Sequence, residues 1–230
     1  MSIAEKLTTV AENQQLVHDA GKQAEYDAFW DGYLDNGQAN KFEYYFAGRG
    51  WNDETFKPKY DLVLGIGYTG TYMFASCGVT DLKAALARCG KTLDTSKSGF
   101  LGSLFMSSSI THIPTIDMSN ATYSGGTALV FSSPNIVSID KVIFSESTDV
   151  QSNTFNAQNL ESVMFDGVIG KSGLSVQNCT KLSHDSLMSL LNTLQTKTSG
   201  TWTCTLGTDN LAKLTDAEKA IATEKGWTLA

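Results

Sequence analysis

The sequence predicts an α/β repeat: a β-solenoid with a long N-terminal helix and a helix–strand–helix cap at its C-terminus. Three observations carry that expectation. A phenylalanine followed by aliphatic residues five and eight positions later occurs four times in register between residues 74 and 163. A proline-free stretch over residues 2–36 carries apolar side chains at helical spacing. Beyond residue 182, two helix-start signals flank a strand-like run. Four segments follow: an N-terminal helix (1–37), an aromatic connector (38–60), the repeats (61–170), and a C-terminal repeat with its cap (171–230).

In the first segment Ser2 can cap the helix, and Asn36-Gly37 can end it through a left-handed residue. Ile3, Leu7, Val10, Gln14 and Val17 follow coiled-coil spacing. A polar residue in such a seam can fix register. Tyr26, Phe29, Trp30 and Tyr33 form a second, aromatic stripe. This pattern allows a homo-oligomer through residues 3–17; packing of the whole helix on its own chain as a cap is the other reading, because the seam covers little more than two heptads and Gly21 falls at its next position. The connector holds Phe42, Tyr44, Tyr45, Phe46, Trp51, Phe56 and Tyr60. Such rings can stack on a sugar or a partner, or join the helix to the repeats. Joining is favoured, because the segment lies between two elements that must pack.

The repeat copies are Phe74-Val79-Leu82, Phe105-Ile110-Ile113, Phe131-Ile136-Ile139 and Phe155-Leu160-Val163. Thr92-Leu93-Asp94-Thr95-Ser96 is echoed by Thr115-Ile116-Asp117-Met118-Ser119, and more loosely by Val142-Ile143-Phe144-Ser145. With Leu93, Ile116, Val142 and Val163 taken as equivalents, the period falls within the roughly 20–29 residues of leucine-rich repeats. Each alternating triplet reads as a short strand with every second side chain turned inward. One unit cannot bury its apolar side alone, so neighbours must cover it. The fold class expected is therefore a leucine-rich-repeat β-solenoid.

A solenoid needs closed ends. Ser183 can start a helix carrying Leu187, Leu190, Leu191 and Leu194, and residues 201–206 read as a last strand. Thr215 with Glu218 three residues on forms a capping box, and Gly226 ends that helix.

The Phe-centred unit resembles the BspA-type leucine-rich repeat family. Phe74 with Cys77, and Val176-Gln177-Asn178-Cys179-Thr180-Lys181-Leu182, carry the match. The three later Phe units lack the cysteine, and the spacing after Phe is one residue short throughout, which marks a divergent member. The opening, AEKLTTVAENQQLVHDAGKQAEYDAFWDGY, and the close, LAKLTDAEKAIATEKGWTLA, resemble repeat proteins from prophage regions of gut Firmicutes. These resemblances imply binding at a cell or virion surface, and they bring no catalytic residues to transfer.

Composition narrows the partners. The net charge of −7 leaves no basic face for nucleic acid. No run approaches the roughly 18 apolar residues that cross a bilayer, so no membrane insertion is expected. The start lacks the basic-then-apolar pattern of a secretory signal. Cytoplasmic synthesis with virion or cell-surface association is the expectation. Cys77, Cys89, Cys179 and Cys204 show no Cys-x-x-Cys pair and read as small buried hydrophobes.

Several motifs invite chemistry and are better read as structure. Gly65-Ile66-Gly67-Tyr68-Thr69-Gly70 fits a dinucleotide fingerprint, yet no βαβ unit follows. Ser183-His184-Asp185-Ser186 sets triad residues side by side, but triads converge from distant positions, and Ser as cap with Asp in the first turn explains the set. His18, His112 and His184 are scattered. Asp94 and Asp117 occupy equivalent positions, too few for a calcium site. No catalytic, cofactor-binding or metal-ligating residue is assigned, and no cofactor is expected. The function expected is a non-enzymatic module binding a protein or glycan. An accessory glycan-active enzyme domain and a ligand-free spacer are the alternatives.

Overall fold

The computed structural model describes residues 46–47, 50–64 and 71–230, with isolated positions from Thr9 to Ala28. The chain divides into two units, Met1–Gly37 and Gln38–Ala230. In the first unit the described positions, among them Val10 and Gln14, are helical and exposed. The remainder of the expected helix over 2–36, most of its 3–17 seam, and nearly all of its aromatic half lie outside the described residues. No long N-terminal helix stands among the described elements.

The second unit is a mixed α/β body of short helices and small parallel sheets. Its elements are β1 (Leu62–Val63), α1 (Leu82–Arg88), β2 (Leu93–Asp94), β3 (His112–Ile113), β4 (Ile116–Asp117), β5 (Ser138–Phe144) and β6 (Ser162–Gly167). Then come α2 (His184–Thr193), β7 (Trp202–Cys204), α3 (Thr208–Leu211), α4 (Asp216–Glu224) and β8 (Trp227–Leu229). β1 pairs with β2, and β7 with β8. β3 and β4 pair with successive parts of one edge of β5, while β6 runs along the other.

This architecture overturns the expected leucine-rich-repeat β-solenoid with its long helix and helix–strand–helix cap. A continuous ladder needs strands of similar length at similar spacing. Here β1 to β4 are two residues each, and among the described Phe-centred copies only the one that starts at Phe74 holds a helix, α1. Between β2 and β4 a side chain replaces backbone pairing: the Thr95 hydroxyl donates to the Asp117 carbonyl at 2.9 Å and accepts its N–H at 2.8 Å. The described strands therefore separate into three sheets. The C-terminal end adds α3 and β8 to the three elements expected there. The assumed equivalence of Val142 and Val163 also fails. Val163 pairs with Ile139, and Val142 with Phe165, across a register shift at Asp140.

What does recur is the aromatic core. Phe46, Phe74, Phe105, Phe131 and Phe155 stack in sequence, with ring centroids 5.1, 5.5, 6.0 and 4.9 Å apart. Phe155 then tilts against Phe165 at 5.5 Å. Parallel neighbours place like side chains over one another, so a phenylalanine at each turn builds a column. Backbone bonds fix the spacing: the N–H groups of Phe74, Phe105 and Phe131 donate to the carbonyls of Leu104, Val130 and Thr154. The chain turns sharply on both sides of these rings. Tyr72 and Ser76, Ser103 and Ser107, and Leu129 take φ between 53° and 59°. Left-handed backbone costs a side-chain-bearing residue about 1–2 kcal/mol. It persists because each of Tyr72, Ser76, Ser103 and Ser107 thereby donates its N–H to the next unit.

At the start of the column the buried Trp51 and Phe56 pack edge-on against Phe46 and against each other. At its other end α2 covers the edge of β6. Its Ser186 and Ser189 hydroxyls accept the Val163 and Phe165 N–H groups at 3.0 and 3.1 Å. Side chains thus complete a strand edge that would otherwise invite pairing.

Candidate recognition surface

The strand alternation that turns Ile139, Val142, Val163 and Phe165 inward turns Asp140, Ser162, Met164 and Asp166 out. Met164 is 54% exposed, a long apolar side chain in the middle of a polar face. Two helices wall this face. α1 begins at Asp81, whose carboxylate accepts the Ala84 N–H at 2.8 Å. From its first turn Lys83 reaches over β5 to Asp140 at 2.7 Å. That bond pushes the Lys83 ammonium above its ordinary range. α2 begins at Ser183, whose hydroxyl accepts the Ser186 N–H, with Asp185 fully exposed in its first turn.

Between these walls lie two adjoining depressions that share Asp140. The one beside α2 is about 370 Å³ and is lined by Ser138, Ser162, Met164, Asp185 and Ser189. The one beside α1 is about 280 Å³ and is lined by Lys83, Leu86, Lys91, Pro114 and Thr115. Together they form a shallow trough crossing the strands. Next to it Lys141 pairs with Asp166 at 2.9 Å. This ion pair, followed by the Gly167 N–H, holds the Asp166 carboxyl below its usual range.

The motifs singled out in the sequence fall elsewhere or act structurally. Ser183 Oγ lies 2.8 Å from Ser186 Oγ, while His184 turns away, its Nε2 2.8 Å from Glu218 of α4. No Ser–His contact forms there. His112 is exposed in β3, beside Thr111 and Asp81. Asp94 and Asp117 each accept the N–H two residues on, from Ser96 and Ser119, and so close turns. The Ser96 hydroxyl, then its N–H, lowers the Asp94 pKa. All four cysteines are free, and three are buried. Burial pushes Cys77 and Cys179 up to about 11 and Cys204 to about 12, which makes them poor nucleophiles. The Gly65–Gly70 motif and His18 lie outside the described residues. Among the described residues no cluster of three or more His, Cys, Asp or Glu is placed to hold a metal ion. Nor is any described helix long and apolar enough to cross a membrane.

No local pattern in the sequence marks the trough residues Lys83, Asp140 and Met164 as a site, and Asp185 reads there only as a helix-start charge. Strand alternation was the one signal that could have marked Asp140 and Met164 as outward-facing. Their meeting with α1 and α2 is tertiary. No protein-family model, curated protein or solved structure matches this chain.

Proposed function

We propose that this chain is a non-enzymatic recognition and assembly module, associated with a cell surface or a phage particle, that binds a protein or glycan ligand. The trough across the outer face of β5 and β6 is the observation that carries this reading. It sets an exposed thioether among hydroxyls and charges on a rigid sheet, and it is open rather than enclosed. Rigid scaffolds presenting mixed apolar and polar groups suit recognition. The resemblance to BspA-type repeats and to prophage repeat proteins supports the same reading.

Assembly rests on the apolar seam at residues 3–17, of which Val10 is 52% exposed. Several trough-bearing units joined through that seam would gain affinity by avidity. In light scattering, the full chain is expected at a multiple of its monomer mass, and Val10→Asp at the monomer mass. For recognition, the full chain at a few hundred micromolar is presented to whole bacterial cells, cell-wall glycan and purified phage particles. Retention on at least one of them, weakened by Met164→Asp, is the expected result. Retention on none would remove the recognition half of the reading.

A further inference from the structure

We infer that the trough holds an extended peptide segment of a partner protein, with an acidic group at one end and a basic group at the other. The inference rests on the recognition reading above and names the ligand class of that site. It follows first from the order of charges along the trough. Lys91 stands at the α1 end, within electrostatic reach of the Asp61 carboxylate, and Asp185 at the α2 end. Between them Lys83 and Asp140 are paired at 2.7 Å and largely cancel. The trough therefore has a cationic end, a neutral middle and an anionic end. Among the described residues Asp185 has a long 3.7 Å approach from its neighbour His184, and its side chain is fully exposed.

The dimensions fit a short peptide. Strands β4, β5 and β6 lie about 5 Å apart, and α2 flanks β6 beyond them, so the trough spans roughly 15–20 Å. Extended chain covers about 3.3 Å per residue, which gives about four to six residues. At the middle, Met164 offers an unbranched, polarisable side chain that adapts to an aliphatic partner. Hydroxyls of Ser138 and Ser162 lie within reach of a peptide backbone. A sugar is the poorer fit, because saccharide sites stack their rings on aromatic faces and, among the described residues, no aromatic side chain lines either depression.

The test uses the full chain and three blocked pentapeptides: Glu-Thr-Leu-Thr-Lys, Glu-Thr-Leu-Thr-Glu and Lys-Thr-Leu-Thr-Lys. Binding is read from the ε-methyl resonance of Met164 and from titrated affinities. The oppositely charged peptide is expected to shift the Met164 methyl and to bind about tenfold tighter than either like-charged one. Asp185→Lys is expected to fold normally, since Ser183 and not Asp185 caps α2, and to transfer the preference to the doubly acidic peptide. Equal binding of all three peptides, or an unchanged preference in Asp185→Lys, would overturn the proposal. So would a Met164 shift produced by cell-wall oligosaccharides and not by peptides, which would assign the trough to sugars. If the chain is retained on cells or particles equally with and without Asp185→Lys, the trough proposal falls while the recognition reading stands.

Discussion

The Phe-centred units between residues 71 and 167 and the C-terminal segment over 184–230 both bury apolar side chains against parallel strands, but they are held by opposite means. In the first, local turn bonds alternate with bonds that run from one unit to the next, joining residues more than twenty apart. Asn120, Asn135 and Asn159 each donate a side-chain amide to a carbonyl of the preceding unit, at Ser96, Ser108 and Pro134. The local backbone there is strained, and only the neighbouring unit makes it worthwhile. In the second, local signals dominate. Ser183 caps α2, and Thr215 with Glu218 forms a reciprocal capping box on α4. A few polar side chains then tie these helices down: Lys213 donates to the Thr180 and Leu182 carbonyls, and Lys225 to those of Leu191 and Asn192. Order in the first region is a property of the stack, while in the second it is largely a property of each segment.

The largest expected effect comes from breaking the stack at its middle. Phe105 is fully buried between Phe74 and Phe131, at 5.5 and 6.0 Å. Truncating a buried phenylalanine costs about 3–5 kcal/mol. In urea unfolding, Phe105→Ala should lower the free energy of unfolding by that amount, read as a lower midpoint at an unchanged slope. Because the stack transmits disorder, hydrogen exchange should rise in the units on both sides. Exchange that rose only in residues adjacent to Phe105 would argue against long-range support.

Next in size is the anchor of the C-terminal segment. Asn210 is fully buried in α3, and its amide nitrogen approaches the carbonyls of Val176, Cys179 and Leu206 at 3.0–3.3 Å. Asn210→Ala leaves buried acceptors unpaired, at a cost of about 1–3 kcal/mol. Exchange at β7 and β8 should rise while the amides of the Phe column stay protected. Equal loss of protection in both regions would show that they unfold as one.

Acid should weaken both regions together. Burial raises the Asp53 pKa, but the Thr80 hydroxyl and N–H and the Asp81 N–H outweigh it, so the net shift is downward. Asp61 is lowered by the Thr92 N–H and hydroxyl, and Glu218 by the Thr215 N–H and hydroxyl and by His184. Groups depressed in the folded state contribute stability that is fully present above their ordinary value of about 4 and is lost as pH falls below that value through their lowered folded-state values. Tm should therefore hold between about pH 7 and 5 and drop between about pH 4 and 3. A flat Tm down to pH 3 would mean that these carboxylates do not favour the folded state.

The same division explains what could be read in the sequence. The helix starts at Ser183 and Thr215 are encoded within four residues, and the local pattern was enough to find them. The Phe steps were visible because one residue type recurs. The left-handed turns around the rings were not, since Ser76, Ser103 and Ser107 carry none of the glycine that usually marks such backbone. The division into three sheets was hidden for a related reason. Thr95 looks like any strand threonine, and only the fold turns its hydroxyl toward the Asp117 backbone. The trough was illegible because Lys83 and Asp140 lie 57 positions apart and Met164 stands on a different strand. A charge or a methionine at such a position carries no local mark of recognition.

The smallest effect, and the one that separates the regions most cleanly, is a gain. Ser107 is exposed and sits at φ 54°, with its N–H donated to Ser132 at 2.9 Å. Glycine takes that conformation without the penalty of about 1–2 kcal/mol, although its freer unfolded chain offsets about 0.5–1 kcal/mol of the relief. Ser107→Gly should therefore stabilise the protein by up to about 1 kcal/mol, read as a higher urea midpoint with an unchanged slope. Ser183, exposed at the start of α2, should give the opposite sign, because glycine there removes a hydroxyl that accepts a helix N–H. The two serines are chemically identical, so opposite signs would trace to the backbone each region imposes. Equal signs would mean that the left-handed turns of the stack carry no strain for glycine to relieve, leaving the stacked rings and the bonds between units to hold a backbone that is already at ease.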